Sequence, residues 1–544
     1  MEKLFKSLKP AKRSGKAKVK RKRYKLYPDI PYDPQLAPGA LENQPISKDW
    51  KITPGLLNLK NENGKLSAPK DIVNLLNKGQ SGKGYKSNTQ IQHLFSRASF
   101  GISVEEAQTL SSSTTEEWVD VLLNPQMPAP PDVWVDEPFD INEYRNWTQE
   151  QRQAFLMLNR DRMNELRGWW LQLMMASPVN LQEKMTLFWH GIFTSDLNSS
   201  ILAQLAYKQN NSWREHSMGN LRTFLKSMYK DPTMLFYLNG VDNVAAEPNE
   251  NFARELLELF TMGVGNYTET DIKEAARALT GWQVDFYHLT SLLNPNLHDN
   301  GSKTFFGQTG NFDGDDIIDI ILEQPQTAVY ICRRLYEFFV SREVDNDFVT
   351  NLANTFRSNN YEIKPVLREI FTSTLFYSEE VRSSLIKSPV DLTMSNIRML
   401  SPDSVDLFAV LFFQAIIDQE LMNPPNVAGW PGQRAWISPT TYVLRNTVSE
   451  IFVSKDLLKD QTPFDFDPIK FAQSFNLPEA RELTAAMVTH LARLPVSEQQ
   501  IDFFVTVLLG TASEDDWSLA YPGADRLVTA CLVQILRLPE FHLS

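Results

Sequence analysis

From Asn88 to the end of the chain, apolar residues recur every three or four positions, and this periodicity constrains the fold more than any other feature. Such spacing places apolar side chains on one face of an α-helix, whereas strand signals are confined to short stretches such as WQVDFY. A long helix is predicted from Thr148 to Ala176, where Ser177 and Pro178 end it. The sequence therefore predicts an all-α, multi-helix globular body with few short strands.

Shorter segments repeat the same helical pattern, and polar residues mark several of their starts. Thr268 and Asp313 are predicted to be helix N-caps, because each precedes a helical segment with acidic residues in its first turn. The loop PPNVAGWPGQRAW, from Pro424 to Trp436, is predicted either to form an aromatic pocket wall or to seal helix ends. Further helices are predicted at 180–193, 215–229, 250–262 and 269–280.

The chain of 544 residues is longer than the chains that usually fold around a single hydrophobic core, so more than one packed unit is expected. Composition changes along the chain divide it into four predicted parts. They are a basic disordered tail at 1–26, an extended Pro- and Gly-containing arm at 27–87, a main helical domain at 88–400 and a C-terminal helical part at 401–544.

Charge is divided unevenly between the tail and the rest. Residues 1–26 hold twelve Lys and Arg against Glu2, a balance of +11, and the total of −12 leaves −23 for the remainder. The tail is suited to nucleic acid, an anionic lipid or an acidic partner surface, and the alternative is a solvated arm without a partner. Because an acidic body repels phosphate backbones, nucleic acid is disfavoured as its ligand.

Several classes of protein are disfavoured by what the sequence lacks. No run of about 18 uncharged apolar residues is present, so no transmembrane helix is expected. Cys332 and Cys531 are the only cysteines, too few for a disulfide framework or a cysteine-based zinc site. GxSxG, Walker A, GxGxxG and HExxH motifs are missing. No apolar signal segment follows the basic start, which predicts a cytoplasmic protein.

The segment PNENFARELLELFTMGVGNYTETDIKEAARALTGW carries the densest group of polar residues beside an apolar helix face. Asn251, Glu255 and Glu258 stand at i, i+4 and i+7 and share one stripe at the border of that face. Carboxylates in such a position are candidates for a general base or for metal ligands. The alternative is an ordinary solvated flank in which Arg254 pairs with a glutamate.

Three histidines are candidate metal ligands or acid–base groups. His190 points away from the apolar stripe of its predicted helix, His216 likewise avoids the stripe of the segment that follows it, and His298 lies in a loop. The alternative, which is the commoner case for a single histidine, is a hydrogen-bonded or surface side chain without a ligand. No metal-binding spacing joins the three, so only the fold can bring them together.

Five blocks in order give the chain a family resemblance. The blocks are HLFSRASFG, FWHGIFTSD, PNENFARELLELFTMGVGNYTETDIKEAARALTGW, HDNGSKTFFGQTGNFDGDDIIDIIL and PPNVAGWPGQRAWI. They resemble the signature blocks of the domain of unknown function 1800 family, a bacterial family, over about residue 88 to the C-terminus. The resemblance implies no particular reaction. It does imply export for many members, and a partner that resembles the alkaline phosphatase and sulfatase superfamily and is encoded nearby.

Two hypotheses of function follow. The first is an enzyme, with or without the help of a divalent metal, whose pocket acts on a polar or anionic substrate. The second is a scaffold or assembly protein that binds partners through its basic tail and helical surface. The enzyme hypothesis assigns catalysis to His190, His216, Glu255 and His298, substrate binding to Asn249, Asn251, Arg254, Lys303 and Trp430, and metal binding to His190, His216, Glu255 and Glu258.

Overall fold

Helices form most of the chain described by the structure, a computed structural model that describes residues 89–125, 127–131, 133–196, 201–455, 463–494 and 496–544. The predicted tail and arm lie outside these residues. Within them, no helix is long and apolar enough to span a bilayer.

The first helices lead from the start of the described chain to the predicted signature segment. They are α1 (Thr89–Ala98), α2 (Val104–Leu110), α3 (Thr115–Leu122), α4 (Ile141–Arg145), α5 (Gln149–Met175), α6 (Leu181–His190), α7 (Ala203–His216), α8 (Leu221–Met228), α9 (Pro232–Tyr237), α10 (Asn251–Glu255) and α11 (Glu269–Ala278). The remaining helices are α12 (Gly314–Glu323), α13 (Pro325–Phe339), α14 (Asn346–Ser358), α15 (Ile363–Thr372), α16 (Pro389–Leu400), α17 (Leu407–Ile416), α18 (Pro439–Ile451), α19 (Pro468–Gln473), α20 (Ala480–Ala492), α21 (Glu498–Leu509) and α22 (Ala524–Leu536).

Side-chain caps fix several helix starts where the sequence predicts them. The Thr148 hydroxyl accepts a hydrogen bond from the Gln151 backbone N–H, so α5 begins one residue after its cap. Thr268 and Asp313 cap α11 and α12 in the same way, which confirms both predictions. Each cap satisfies backbone donors that a helix leaves unpaired at its first turn.

The strands are short and pair only as antiparallel two-stranded sheets within the described chain. In the first sheet Trp282 lies opposite Leu293, which confirms the predicted strand at WQVDFY. The pairs are β1 (Trp282–Asp285) with β2 (Thr290–Leu293), β3 (Lys303–Phe305) with β4 (Gln308–Gly310), and β5 (Ser404–Val405) with β6 (Phe464–Asp465).

Two large apolar clusters form the core, and α6 lies between them. Met185 and Phe188 of α6 belong to the first cluster, while Leu187 belongs to the second, which includes most of the C-terminal helices. All ten residues of α6 are buried in consequence. The second cluster draws on residues before and after position 400, and the predicted domain boundary there stays a prediction.

Two of the predicted helices differ from the structure. The predicted helix 215–229 is wrong at its start, because α7 continues to His216 and α8 begins separately at Leu221. The helix predicted at 250–262 changes after Glu255 into a π-helical turn, Leu256–Thr261. A π turn holds more residues per turn than an α turn, and within it Glu258 still lies 3.8 Å from Arg254, four residues before it.

Candidate functional site

His190 ends α6 and is completely buried. Its Nε2 lies 3.1 Å from the Met422 backbone nitrogen and accepts that N–H. Burial, reinforced by the positive charge of Arg167, lowers the pKa of His190 to about 3. The imidazole is therefore neutral near pH 7. Because Nε2 accepts a hydrogen bond, its single proton lies on Nδ1, which is a donor.

Three tryptophans surround this imidazole. The ring centroids of Trp213, Trp430 and Trp170 lie 4.8, 5.1 and 5.6 Å from that of His190. They come from α7, from the loop 424–436 and from α5, which are far apart in sequence. The fold thus brings together two residues that the sequence singles out, His190 and Trp430.

A buried ion pair lies beside the aromatic group. Glu183, two turns before His190 on α6, accepts from Arg214 Nε at 2.6 Å and from Nη2 at 2.9 Å. The Trp170 indole N–H also donates to this carboxylate, at 2.8 Å. Both charged side chains are buried, and the guanidinium lies 4.7 Å from the Trp169 ring centroid. The charges cancel, and the geometry is the bidentate one that favours such pairs.

Four nitrogen donors around this ion pair have no hydrogen-bond acceptor among the residues that the structure describes. They are His190 Nδ1, Trp213 Nε1, Asn210 Nδ2 and Arg214 Nη1. Asn210, Trp213 and Arg214 stand at i, i+3 and i+4 on α7 and share one face. Buried donors without acceptors are costly, so their accumulation indicates a place for oxygen acceptors. We define the His190 centre as Trp170, Glu183, His190, Asn210, Trp213, Arg214 and Trp430.

The loop 424–436 closes over the C-terminal end of α6. The Thr194 hydroxyl donates to the Val427 carbonyl, and Gly429 lies so close to Gly191 that a Cβ there would stand 2.6 Å from the Gly191 carbonyl oxygen. The loop therefore seals a helix end, as one of its two interpretations predicts. Its Trp430 also supplies one wall of the His190 centre.

Glu183, Asn210, Trp213 and Arg214 are missing from the sequence-based candidates. Their helix α7 reads AQLAYKQNNSWREH, in which polar residues occupy the positions that the fold buries. Apolar periodicity does not detect such a helix. The available signal was the i, i+3, i+4 spacing of Asn210, Trp213 and Arg214, immediately after the block that contains His190.

The other two candidate histidines lie in surroundings of their own. His216 is half-buried and stacks on Phe224 at 5.4 Å between centroids, and burial lowers its pKa. His298 is half-buried in the loop before β3, and its Nδ1 lies 2.9 Å from the Thr280 carbonyl oxygen. Neither makes a ring contact with His190. No hydrogen bond or ring contact joins the three histidines in the described structure, and their grouping in one pocket stays a prediction.

Asn249 and Asn251 shape the backbone before α10. The Asn251 side chain donates to the Leu238 carbonyl at 3.0 Å, and the Asn249 side chain accepts the Asn251 backbone N–H at 3.0 Å. The Asn249 backbone N–H in turn donates to the buried Asn243 side chain at 2.9 Å. These amides hold a loop in place, and their predicted role in substrate binding stays a prediction.

Arg254 forms a partly exposed cluster with three glutamates. Its guanidinium lies 2.8 Å from Glu269, 3.3 Å from Glu250 and 3.8 Å from Glu258. Half-burial, and then the charge of Glu258, raise the pKa of Glu255 above its ordinary range. This arrangement matches the alternative interpretation of a helix flank with Arg–Glu pairs.

Lys303 is buried in the β3–β4 hairpin, where its Nζ donates to the Asp299 carbonyl oxygen at 2.5 Å. Burial lowers its pKa. The Asp299 carboxylate itself pairs with Arg277 at 2.7 Å. Lys303 therefore anchors the hairpin to its neighbouring loop in this structure.

The predicted metal-ligand set is not brought together. Across the described ranges, no group of three or more His, Cys, Asp or Glu side chains is placed to hold a metal ion. His190 lies among tryptophans, whereas Glu258 accepts from the Tyr267 hydroxyl and lies near Arg254. Glu255 and Glu258 lie near each other, but neither they nor His216 join His190 in a group that could hold a metal ion among the described residues.

Most of the chain matches a known protein family. Residues 93–543 match the family described as Protein of unknown function (DUF1800). This chain belongs to that family. The whole His190 centre and the closing loop lie within the part that matches DUF1800. No curated protein and no solved structure matches the chain.

Acid should destabilise this DUF1800 protein partly through His190. Its folded pKa of about 3 lies below the ordinary 6.5, so below pH 6.5 the unfolded state takes up a proton that the folded state excludes. The free energy of unfolding should fall by about 1.4 kcal/mol for each pH unit below about 6 on account of this one group. Urea denaturation between pH 7.5 and 4.5 measures it.

The matched variant for this prediction is His190→Gln, whose amide oxygen can accept the Met422 N–H in place of Nε2. The free energy of unfolding of this variant should fall less steeply with acid than that of the wild type, by about 1.4 kcal/mol for each pH unit below about 6. His93, His490 and His542 also have lowered pKa values, but they remain in both proteins and cancel in the difference. Parallel pH profiles would show that His190 is not held neutral.

Proposed function

We propose that this protein binds a small polar or anionic molecule at the His190 centre and stabilises negative charge on an oxygen of that molecule. The observation that carries the proposal is the group of four buried N–H donors without acceptors among the described residues. Donors held in place before a ligand arrives stabilise charge that develops on oxygen, because no reorganisation is needed.

The rest of the centre supports this choice of ligand. Glu183 already accepts three hydrogen bonds and its charge is compensated by Arg214, so it offers little to a cationic ligand. His190 is neutral and presents an N–H, which suits hydrogen-bond donation better than proton abstraction. The tryptophan faces suit the apolar part of a small organic acid or carbonyl compound.

Entry of the molecule requires a movement of the loop 424–436, because His190 is completely buried in the described structure. Trp430 belongs to this loop and is half-buried, and its ring contacts the ring of His190. The proposed role of the loop is therefore a cover, which opens for the ligand and restores the aromatic wall when it closes.

A binding experiment with a matched pair of tryptophan variants tests the proposal. Formate, acetate, bicarbonate and inorganic phosphate are titrated, and binding is followed by tryptophan fluorescence and melting temperature. At least one probe should bind the wild type saturably. Trp213→Phe, which keeps an aromatic ring but removes the unpartnered N–H, should weaken that binding by about tenfold.

Trp118→Phe is the control. Trp118 is also fully buried, but its indole N–H already donates to the Leu110 carbonyl at 2.9 Å, away from the His190 centre. This variant should lose stability without losing affinity. Saturable binding that both variants weaken equally, or no binding by any probe, would contradict the proposal.

A further inference from the structure

Each side-chain acceptor atom of the His190 centre already has a donor. His190 Nε2 accepts the Met422 N–H, and Asn210 Oδ1 accepts from Arg214 Nη2 at 2.9 Å. The Glu183 carboxylate accepts one N–H at Oε1 and two at Oε2. Three of the roughly four lone-pair positions of this carboxylate are therefore in use.

The polar atoms of the centre that find no partner among the described residues are, in contrast, nitrogens that only donate. Indole, amide and guanidinium nitrogens do not accept hydrogen bonds, and the Nδ1 of the neutral imidazole carries the proton because Nε2 accepts one. The centre therefore offers hydrogen-bond donors to a ligand and requires acceptors from it. The four atoms are His190 Nδ1, Asn210 Nδ2, Trp213 Nε1 and Arg214 Nη1.

The four side chains that carry these donors contact one another and are all buried. Asn210, Trp213 and Arg214 share one face of α7. The Trp213 ring centroid lies 4.8 Å from that of His190, and Asn210 is bonded to Arg214. A ligand that reaches these donors loses its water on that side, so each of its polar atoms there needs a partner from the centre.

A ligand oxygen that carries a proton is a poor match for this set of donors. An O–H group has to donate a hydrogen bond, and a buried O–H without an acceptor loses its hydration without compensation. An ionised carboxylate or sulfate group has lone pairs and no proton, so it can satisfy the donors and leaves no donor of its own unpaired. Buried polar sites discriminate strongly between ligands that differ in one such group.

We infer that the His190 centre selects oxyanions that carry no proton, namely ionised carboxylate or sulfate groups, and rejects oxyanions that keep an O–H at neutral pH, such as inorganic phosphate and bicarbonate. This inference rests on the proposed function and names the ligand class of the same site. The selection depends on the proton and not on charge or shape, because sulfate and the phosphate dianion are tetrahedra of the same charge.

Two matched pairs of oxyanions test the inference on the wild-type protein at pH 8. Sulfate is paired with phosphate, and acetate with bicarbonate, so that only the second member of each pair carries an O–H. Each probe replaces an equivalent ionic strength of chloride, and binding is followed by tryptophan fluorescence. We expect sulfate, acetate or both to bind saturably, and at least about tenfold more tightly than the protonated partner.

The possible outcomes separate this inference from the proposed function. If phosphate or bicarbonate binds as tightly as its partner, or more tightly, the selection does not exist, although the centre still binds an oxyanion. The remaining lone pair of Glu183 Oε1 would then be the acceptor for the O–H of the ligand. If none of the four probes binds, the proposed function itself is contradicted, and the inference is lost with it.

Asn210→Asp reverses the hydrogen-bonding role of one position, because an oxygen acceptor replaces the donor Nδ2 in a side chain of the same shape. The preference for the unprotonated member of the pair that binds should fall by about tenfold. Asn211→Asp is the matched control, since it adds the same charge one residue later, where the Asn211 side chain donates to Glu215. This control should keep the wild-type preference. An equal change in both variants would assign the effect to general charge and overturn the role of Asn210, and the wild-type comparison holds if either variant fails to fold.

Discussion

Arg214→Met is expected to lower the free energy of unfolding by about 3–5 kcal/mol, because it leaves the Glu183 carboxylate buried without its cation. Both side chains are nearly inaccessible, and the two Arg214–Glu183 hydrogen bonds are 2.6 and 2.9 Å long. Only the Trp170 N–H would still donate to the carboxylate. Urea denaturation at pH 7.5 measures the loss.

The double variant Glu183→Met, Arg214→Met separates an unpaired charge from a lost contact. Apolar residues of similar size replace a buried ion pair with little cost, so the double variant should recover most of the stability. Arg481→Met, which removes an exposed ion pair with Glu498, should leave the unfolding transition where it is. A double variant as unstable as the single one would mean that Arg214 stabilises by packing alone.

Gly429→Ala is expected to lower the free energy of unfolding by about 2–4 kcal/mol, since strain and overpacking act at the same residue. Gly429 has φ +77°, in the left-handed region, and an added Cβ would lie 2.6 Å from the Gly191 carbonyl oxygen. That contact is with backbone, so a side-chain rotation cannot relieve it. The loop 424–436 must move away from α6, which would also alter the fluorescence of Trp430.

Gly432→Ala in the same loop is the matched control. Its φ is +72°, but nothing lies within 4 Å of the position of its Cβ. With ψ 175° it lies in a region that only glycine adopts readily, so the variant should show backbone strain alone, about 1–3 kcal/mol. The difference between the two variants measures how tightly the loop is seated on α6. Equal losses would show that the close approach of Gly429 to Gly191 is not maintained in solution.

Local signals sufficed for much of the secondary structure. The sequence predicts Thr268 and Asp313 as caps from their position before a helical segment, because a cap bonds backbone donors only two or three residues away. The strand at Trp282 was likewise recognisable from a short apolar alternation. The same local reasoning missed α7, where tertiary neighbours satisfy polar side chains and no apolar stripe is needed.

The sequence by itself determined that this chain folds as helices, where many of them begin, and that His190 and Trp430 belong to blocks of one family. Only the tertiary structure decided that His190 faces three tryptophans, whereas His216 stacks on Phe224 and His298 lies 2.9 Å from the Thr280 carbonyl oxygen. The physical reason is the sequence separation of the interacting residues. A helix depends on neighbours within a turn or two, whereas the burial of His190 depends on Met422, 232 residues away along the chain.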